Sequence, residues 1–313
     1  MTTTSLLYVI LYIAVLIFLI ACAVRAVGYA RLPLHLRWEL YPVPHEEKKR
    51  AEHGGSYFEA REWWTKPVKF NRIGELKSML AEICFLKGLW EYKRKMWYRS
   101  YPFHLGLYLL IGTAVTLLGG AFLSVVLPAV WAGALGIIFH YAYTAAGCAG
   151  AVLTLWGAIA LLDARLTQDD LKRYTTPGDI FNLVFFIVTV GFLAGGYLLR
   201  PDSSLRAMEL AKGIVTFNAT LEVPTILMIG LTLGALLTVY IPMTHMAHFI
   251  GKYFTYHAVR WDDEANLVGT KLEKRVAEYL TYRPTWAAPH MGADGTKSWA
   301  EIAMSNPAKG GKK

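Results

Sequence analysis

The chain has 313 residues, 55% of them hydrophobic, with a net charge of +9 and a mean hydropathy of +0.34. Five apolar runs, near 5–27, 103–127, 129–162, 179–199 and 222–250, each reach the roughly 20 residues needed to cross a bilayer. None has Asp, Glu, Lys or Arg in its apolar centre, which excludes a soluble enzyme and defines an all-α, polytopic membrane protein with five transmembrane helices.

The first run, "SLLYVILYIAVLIFLIACAV", is of full span length, and nothing basic precedes it. A secretory signal has a positive n-region, so the run is read as a retained helix, although "LIAC" fits the loose pattern of lipoprotein cleavage. Residues 28–101 follow as a long charged loop. Within it Leu76, Met79, Leu80, Ile83, Leu86, Leu89 and Trp90 approximate helical spacing with charges between them. That pattern predicts an amphipathic helix at the membrane interface anchored by Trp and Lys/Arg, or a docking surface for another subunit.

Charge sets the predicted topology. Of the 32 Lys and Arg residues, 16 fall in 25–99, 3 in 163–178 and 10 in 251–313. If the chain crosses five times, these segments share one side, and only Arg200, Arg206 and Lys212 lie on the other. The positive-inside rule then places the N-terminus outside and the loop and tail in the cytoplasm. The charge is thus explained without nucleic acid. The expected organisation is a transmembrane helix (1–27), a cytoplasmic amphipathic loop (28–101), a four-helix bundle (102–250) and a cytoplasmic tail (251–313). The tail ends in "NPAKGGKK", whose composition suits disorder.

Three cysteines, Cys22, Cys84 and Cys148, form no CxxC, CxxCH or iron–sulfur pattern. Histidine is more informative. His35, His45, His53, His257 and His290 lie in the loop or the tail. The other four lie within or border the spans, where ionisable groups are costly and mark function. His104 opens the second span, His140 sits in the outer half of the third, and His245 and His248 close the fifth. The second and fifth spans run in opposite directions, so His104 shares a depth with His245 and His248. Two imidazoles facing each other across a bundle suit the axial positions of a b-type haem. An interfacial histidine can equally anchor a helix, and spacing does not choose between His245 and His248. Gly106, Gly112, Gly191, Gly195, Gly230 and Gly234 could make room for a macrocycle, though small residues are common wherever membrane helices meet. Arg99, Lys252 and Arg260 are near enough in sequence to meet haem propionates, or simply flank helix ends.

"PFHLGLYLLIG" followed much later by "YIPMTHMAHFIGKYF" resembles the nitrate reductase gamma subunit family of membrane cytochromes b. Similar segments belong to the membrane subunits of heterodisulfide reductase and of the sulfite-reduction-associated complex. The family pattern P-x-[ST]-x-x-x-H matches Pro242, Thr244 and His248, so the resemblance implies His104 and His248 as axial ligands of haem b, with His245 the alternative. Diheme members carry a second pair where this chain has Ala114 and Gly230. One haem is therefore expected, near the cytoplasmic face of a bundle formed by helices 2–5. His140 remains for an outer haem, a quinone contact or a bond to a neighbouring helix.

The resemblance implies a non-autonomous electron-transfer subunit of a respiratory complex in a prokaryotic cytoplasmic membrane. It would relay electrons between menaquinone or another quinone and a cytoplasmic iron–sulfur or flavoprotein subunit. Asp179, Asn182 and Glu222 are further polar candidates for a quinone contact, or helix caps. Two rivals stand beside this reading: a haem-free anchor for cytoplasmic redox subunits, and a transporter. The chain lacks the intramembrane carboxylates and repeated broken helices that transporters use.

Overall fold

The computed structural model describes residues 2–31, 72–199, 206–254, 266–285 and 291–305, with short stretches at 49, 61–62, 65–66 and 287–288. His35, His45, His53, His257, His290, Arg260 and the terminal "NPAKGGKK" lie outside the described residues, as does the side chain of Lys252. Two compact units form, one from residues 1–25 and 77–248, the other from 26–76 and 249–313.

Five helices are long and apolar enough to cross a membrane: α1 (Thr3–Arg31), α4 (Arg94–Val126), α5 (Ala134–Thr167), α6 (Pro177–Leu198) and α8 (Thr225–Met243). Between them lie α2 (Arg72–Phe85), α3 (Lys87–Tyr92) and α7 (Ala207–Thr216). Large apolar side chains such as Leu16, Ile111, Val152 and Leu236 remain more than half exposed, the pattern of helices whose outer faces meet lipid. The buried residues of α1, Thr4, Ser5, Leu7, Tyr8 and Ala14, all lie in its first half. Leu7 and Tyr8 pack with Leu210, Val223 and Leu227, and the Thr4 hydroxyl donates to the Leu221 carbonyl at 2.7 Å.

The elements depart most from the expected segments where local chemistry intervenes. Helix α4 begins eight residues before Pro102 and runs through it, because aromatic contacts hold its first turns. The Trp97 ring stacks on Tyr101 with centres 4.4 Å apart and meets Trp90 edge-on at 4.7 Å. The predicted amphipathic segment is two helices, α2 and α3, separated at Leu86, whose φ of 50° breaks the helical path. The last carbonyls of α2 find partners outside the helix, as unsatisfied helix ends require. Trp97 Nε1–H donates to Phe85 O at 2.7 Å, and Tyr108 O–H donates to Ile83 O at 3.0 Å. The fifth span stops at Met243 rather than continuing to 250.

Backbone proximity joins the spans in pairs. A Cβ on Gly157 of α5 would lie 2.4 Å from Phe103 N of α4, and one on Gly106 would lie 2.4 Å from Thr154 N. Likewise a Cβ on Gly196 of α6 would lie 2.6 Å from Leu227 N of α8. Small residues permit this closeness, which substitutes dispersion contact for the missing hydrophobic drive in lipid.

Helix α6 starts with a reciprocal cap. Asp179 N–H donates to Thr176 Oγ1 at 3.3 Å, while Asp179 Oδ2 accepts from Thr176 N–H at 2.9 Å and from the hydroxyl at 2.8 Å. Pro177 at the first helical position needs no partner for a missing N–H. Thr176→Ala is expected to lower stability by about 1 kcal/mol, read as a lower melting temperature of the purified protein in detergent.

In the second unit, α9 (His248–Phe254) begins within the first unit and continues into it, and α10 (Lys271–Leu280) and α11 (Trp299–Met304) follow. Strands β1 (Ala287–Ala288) and β2 (Ala293–Asp294) pair antiparallel with Ala287 opposite Asp294. This two-residue ladder is the one sheet among the described residues and leaves the fold all-α.

Candidate functional site

The stretch "IPMTHMAH" ends α8 through backbone chemistry. Pro242 has no N–H for the ladder, and Thr244 turns extended, with φ −115° and ψ −176°. The Thr244 hydroxyl accepts from Met246 N–H at 3.3 Å and caps a single 3₁₀ turn, His245–Ala247. Helix α9 then starts at His248. Both histidines follow this break, three residues apart, yet they meet different helices. His248 meets α4, and His245 meets α6.

His104 lies one turn past Ser100, and its Nδ1 is 2.7 Å from the Ser100 carbonyl. A carbonyl only accepts, so this bond requires Nδ1–H, the tautomer in which Nε2 carries the lone pair that metal ligation needs. The His104 and His248 ring centres are 6.1 Å apart with planes at 71°. Imidazole nitrogen binds a metal at about 2.0 Å, and the ring centre lies about 1.1 Å behind the nitrogen. Two ligands on opposite sides of one metal thus have centres about 6 Å apart. Around this end of the bundle Phe103, Ala158, Leu183, Phe186 and Leu237 form a buried apolar cluster. The Phe103 ring meets His104 and Phe186 edge-on, at 5.5 and 5.1 Å.

Among the described residues no three His, Cys, Asp or Glu side chains gather in a metal-binding group. Two histidines are a sufficient protein contribution where a macrocycle supplies the remaining donors, as in bis-histidine haem. The donor set and its spacing fit that group.

The glycines divide. Gly106 is used in the α4–α5 contact, and a Cβ on Gly230 would lie 2.8 Å from Leu193 N of α6. Neither can make room for a macrocycle. Gly112, Gly191 and Gly195 have nothing within 4 Å of an added Cβ, and Gly234 is at ordinary contact distance from Leu193. Arg99 lines an open cavity of about 800 Å³ with Lys95, Tyr98 and Trp156, opposite Asp169 and Asp170.

His245 belongs to a separate polar cluster. Its Nε2 is 3.3 Å from Asn182 Nδ2 and 3.6 Å from Asp179 Oδ1. Arg165 Nη1 stands 3.5 Å from Asp179 Oδ2, and Tyr240 O–H donates to Asn182 Oδ1 at 2.8 Å. Asn182 is buried, 6% exposed, while the His245 side chain is 67% exposed. Asp179 and Asn182 stand out in the sequence as polar groups at the start of a span. Tyr240 and Arg165 do not, because their partners come from another helix. His140, near the N-terminal end of α5, is exposed and pairs its Nδ1 with Tyr143 Oη at 2.8 Å, one turn along the helix. Glu222, expected as a cap or quinone contact, precedes α8 and is exposed, with Pro224 in the capping place.

Five membrane-length helices, with two histidines meeting at one end, define a polytopic helical membrane protein. The chain belongs to the nitrate reductase gamma subunit family, whose family model matches residues 89–262, from α3 past α9. Members are membrane electron-transfer subunits of the cytochrome b class, found in multi-subunit complexes. No curated protein and no solved structure matches the chain significantly.

Proposed function

We propose that the chain is a haem b subunit of a respiratory redox complex, with His104 and His248 as the axial ligands of one haem. It relays electrons between a membrane quinone, such as menaquinone, and an iron–sulfur or flavin subunit docked in the cytoplasm. The observation that carries this reading is the 6.1 Å separation of the two imidazole centres. When bound, haem supplies reversible one-electron transfer. The residues hold and tune it: the Ser100 carbonyl fixes the His104 tautomer, and the apolar cluster around Phe103 and Phe186 excludes water.

A single haem is favoured by the packing of α8. Where diheme relatives carry a histidine, this chain has Gly230, and α6 leaves no room there for a side chain. In this reading the loop 28–101 and the tail 251–313 face the cytoplasm of a prokaryotic cell and contact the partner. The exposed apolar residues Leu76, Leu80, Ile83 and Phe85 of α2 suit the membrane interface. The test is a reduced-minus-oxidised absorption spectrum of the complex purified with its partners. A haem b band at about one haem per chain is expected. No band leaves the chain as a haem-free anchor.

A further inference from the structure

We propose that His245, oriented by Asn182 and Tyr240, is the hydrogen-bonding site for the quinone head group, at the same end of the bundle as the His104–His248 pair. This rests on the electron-transfer reading above. With one haem at that end, the quinone must also bind near it, because electron transfer weakens steeply with distance.

The polar half of the site is a directed chain. Tyr240 O–H donates to Asn182 Oδ1, and Asn182 Nδ2–H then donates to His245 Nε2. With Nε2 accepting from Asn182, the ring proton lies on Nδ1, which makes no hydrogen bond among the described residues and belongs to a side chain 67% exposed. It is a fixed donor for a carbonyl oxygen. Asp179, 3.6 Å from Nε2 and tied to Arg165 and the α6 cap, limits how far the ring can turn. Tyr240 also belongs to the apolar half. Its ring meets Phe181 at 5.6 Å and Phe185 at 5.8 Å, and Phe181 is 52% exposed. An apolar aromatic cluster beside one oriented donor suits a quinone ring, whose carbonyls sit on the edge of an apolar disc. Reduction adds two electrons and two protons to the ring, and oxidation removes them. Here both exchanges occur at one end of the bundle, so the reaction moves no charge across the membrane.

The experiment uses the purified complex and the fluorescent quinol analogue 2-heptyl-4-hydroxyquinoline N-oxide, whose emission is quenched on binding, with haem content measured on each variant. His245→Leu is expected to raise the dissociation constant at least tenfold with haem content unchanged, and His245→Gln, which keeps a donor, to recover part of the loss. An unchanged dissociation constant in His245→Leu, or loss on His140→Leu instead, overturns the site. Loss of haem in His245→Leu also overturns it, since His245 would then be an axial ligand. A wild-type complex that holds haem but does not bind the probe does the same. A wild type without haem defeats the electron-transfer reading, whereas His245-dependent probe binding in that same preparation leaves this site standing.

Discussion

His104→Ala and His248→Ala are each expected to abolish the haem b band of the purified complex, while His245→Ala should leave it in place. Groups that merely orient a metal ligand are worth about 10–100-fold in metal affinity, and loss of the ligand itself costs more. The contrast between His245 and His248 is the discriminating part. Both lie past the break at Thr244, yet one ring meets Asn182 and the other meets His104. Loss of the band through misfolding is distinguished by His104→Met. Methionine is a haem ligand that raises the reduction potential of a histidine-ligated iron, so this variant is expected to keep a band at a shifted potential. A His104→Met complex with an unshifted potential would show that the iron is held elsewhere.

Gly157→Ala is the second large effect. The added methyl group would stand 2.4 Å from Phe103 N and 2.7 Å from Phe103 Cα, and backbone atoms cannot rotate away as a side-chain tip can. Overpacking of this kind costs about 1–3 kcal/mol and sometimes more; the top of that range is expected here. Because Phe103 adjoins His104, the helix shift that relieves the clash also moves the ring, so haem retention falls together with the melting temperature. Gly112→Ala is the control. Nothing lies within 4 Å of its Cβ, and alanine is favoured over glycine in a helix interior by about 1 kcal/mol. It should be neutral or mildly stabilising, and a loss like that of Gly157→Ala would contradict the packing described.

Much of the architecture is readable from one dimension, because the bilayer imposes a length and a polarity on every span. The five apolar runs correspond to α1, α4, α5, α6 and α8. The misjudged edges lie where local chemistry competes with hydropathy. Lys and Arg before Pro102 look like loop, yet the Trp90, Trp97 and Tyr101 rings support a helical extension that hydropathy does not register. At the close of the fifth span, apolar character persists to residue 250 although Pro242 and Thr244 have already interrupted the ladder.

The site divides the same way. Sequence by itself determined the class of protein, the span count, and the shared depth of His104, His245 and His248, since antiparallel spans bring the start of one to the end of another. It also exposed the place of Pro242 and Thr244. Only the tertiary structure decided which histidine meets which helix, because residue spacing does not show which neighbouring span lies beside each ring. Tertiary structure likewise decided what each glycine is for. Gly106, Gly112 and Gly230 are the same residue in a sequence, but an approaching backbone fills the space beside two of them and leaves the third open. That difference belongs to the neighbouring helix, not to the glycine.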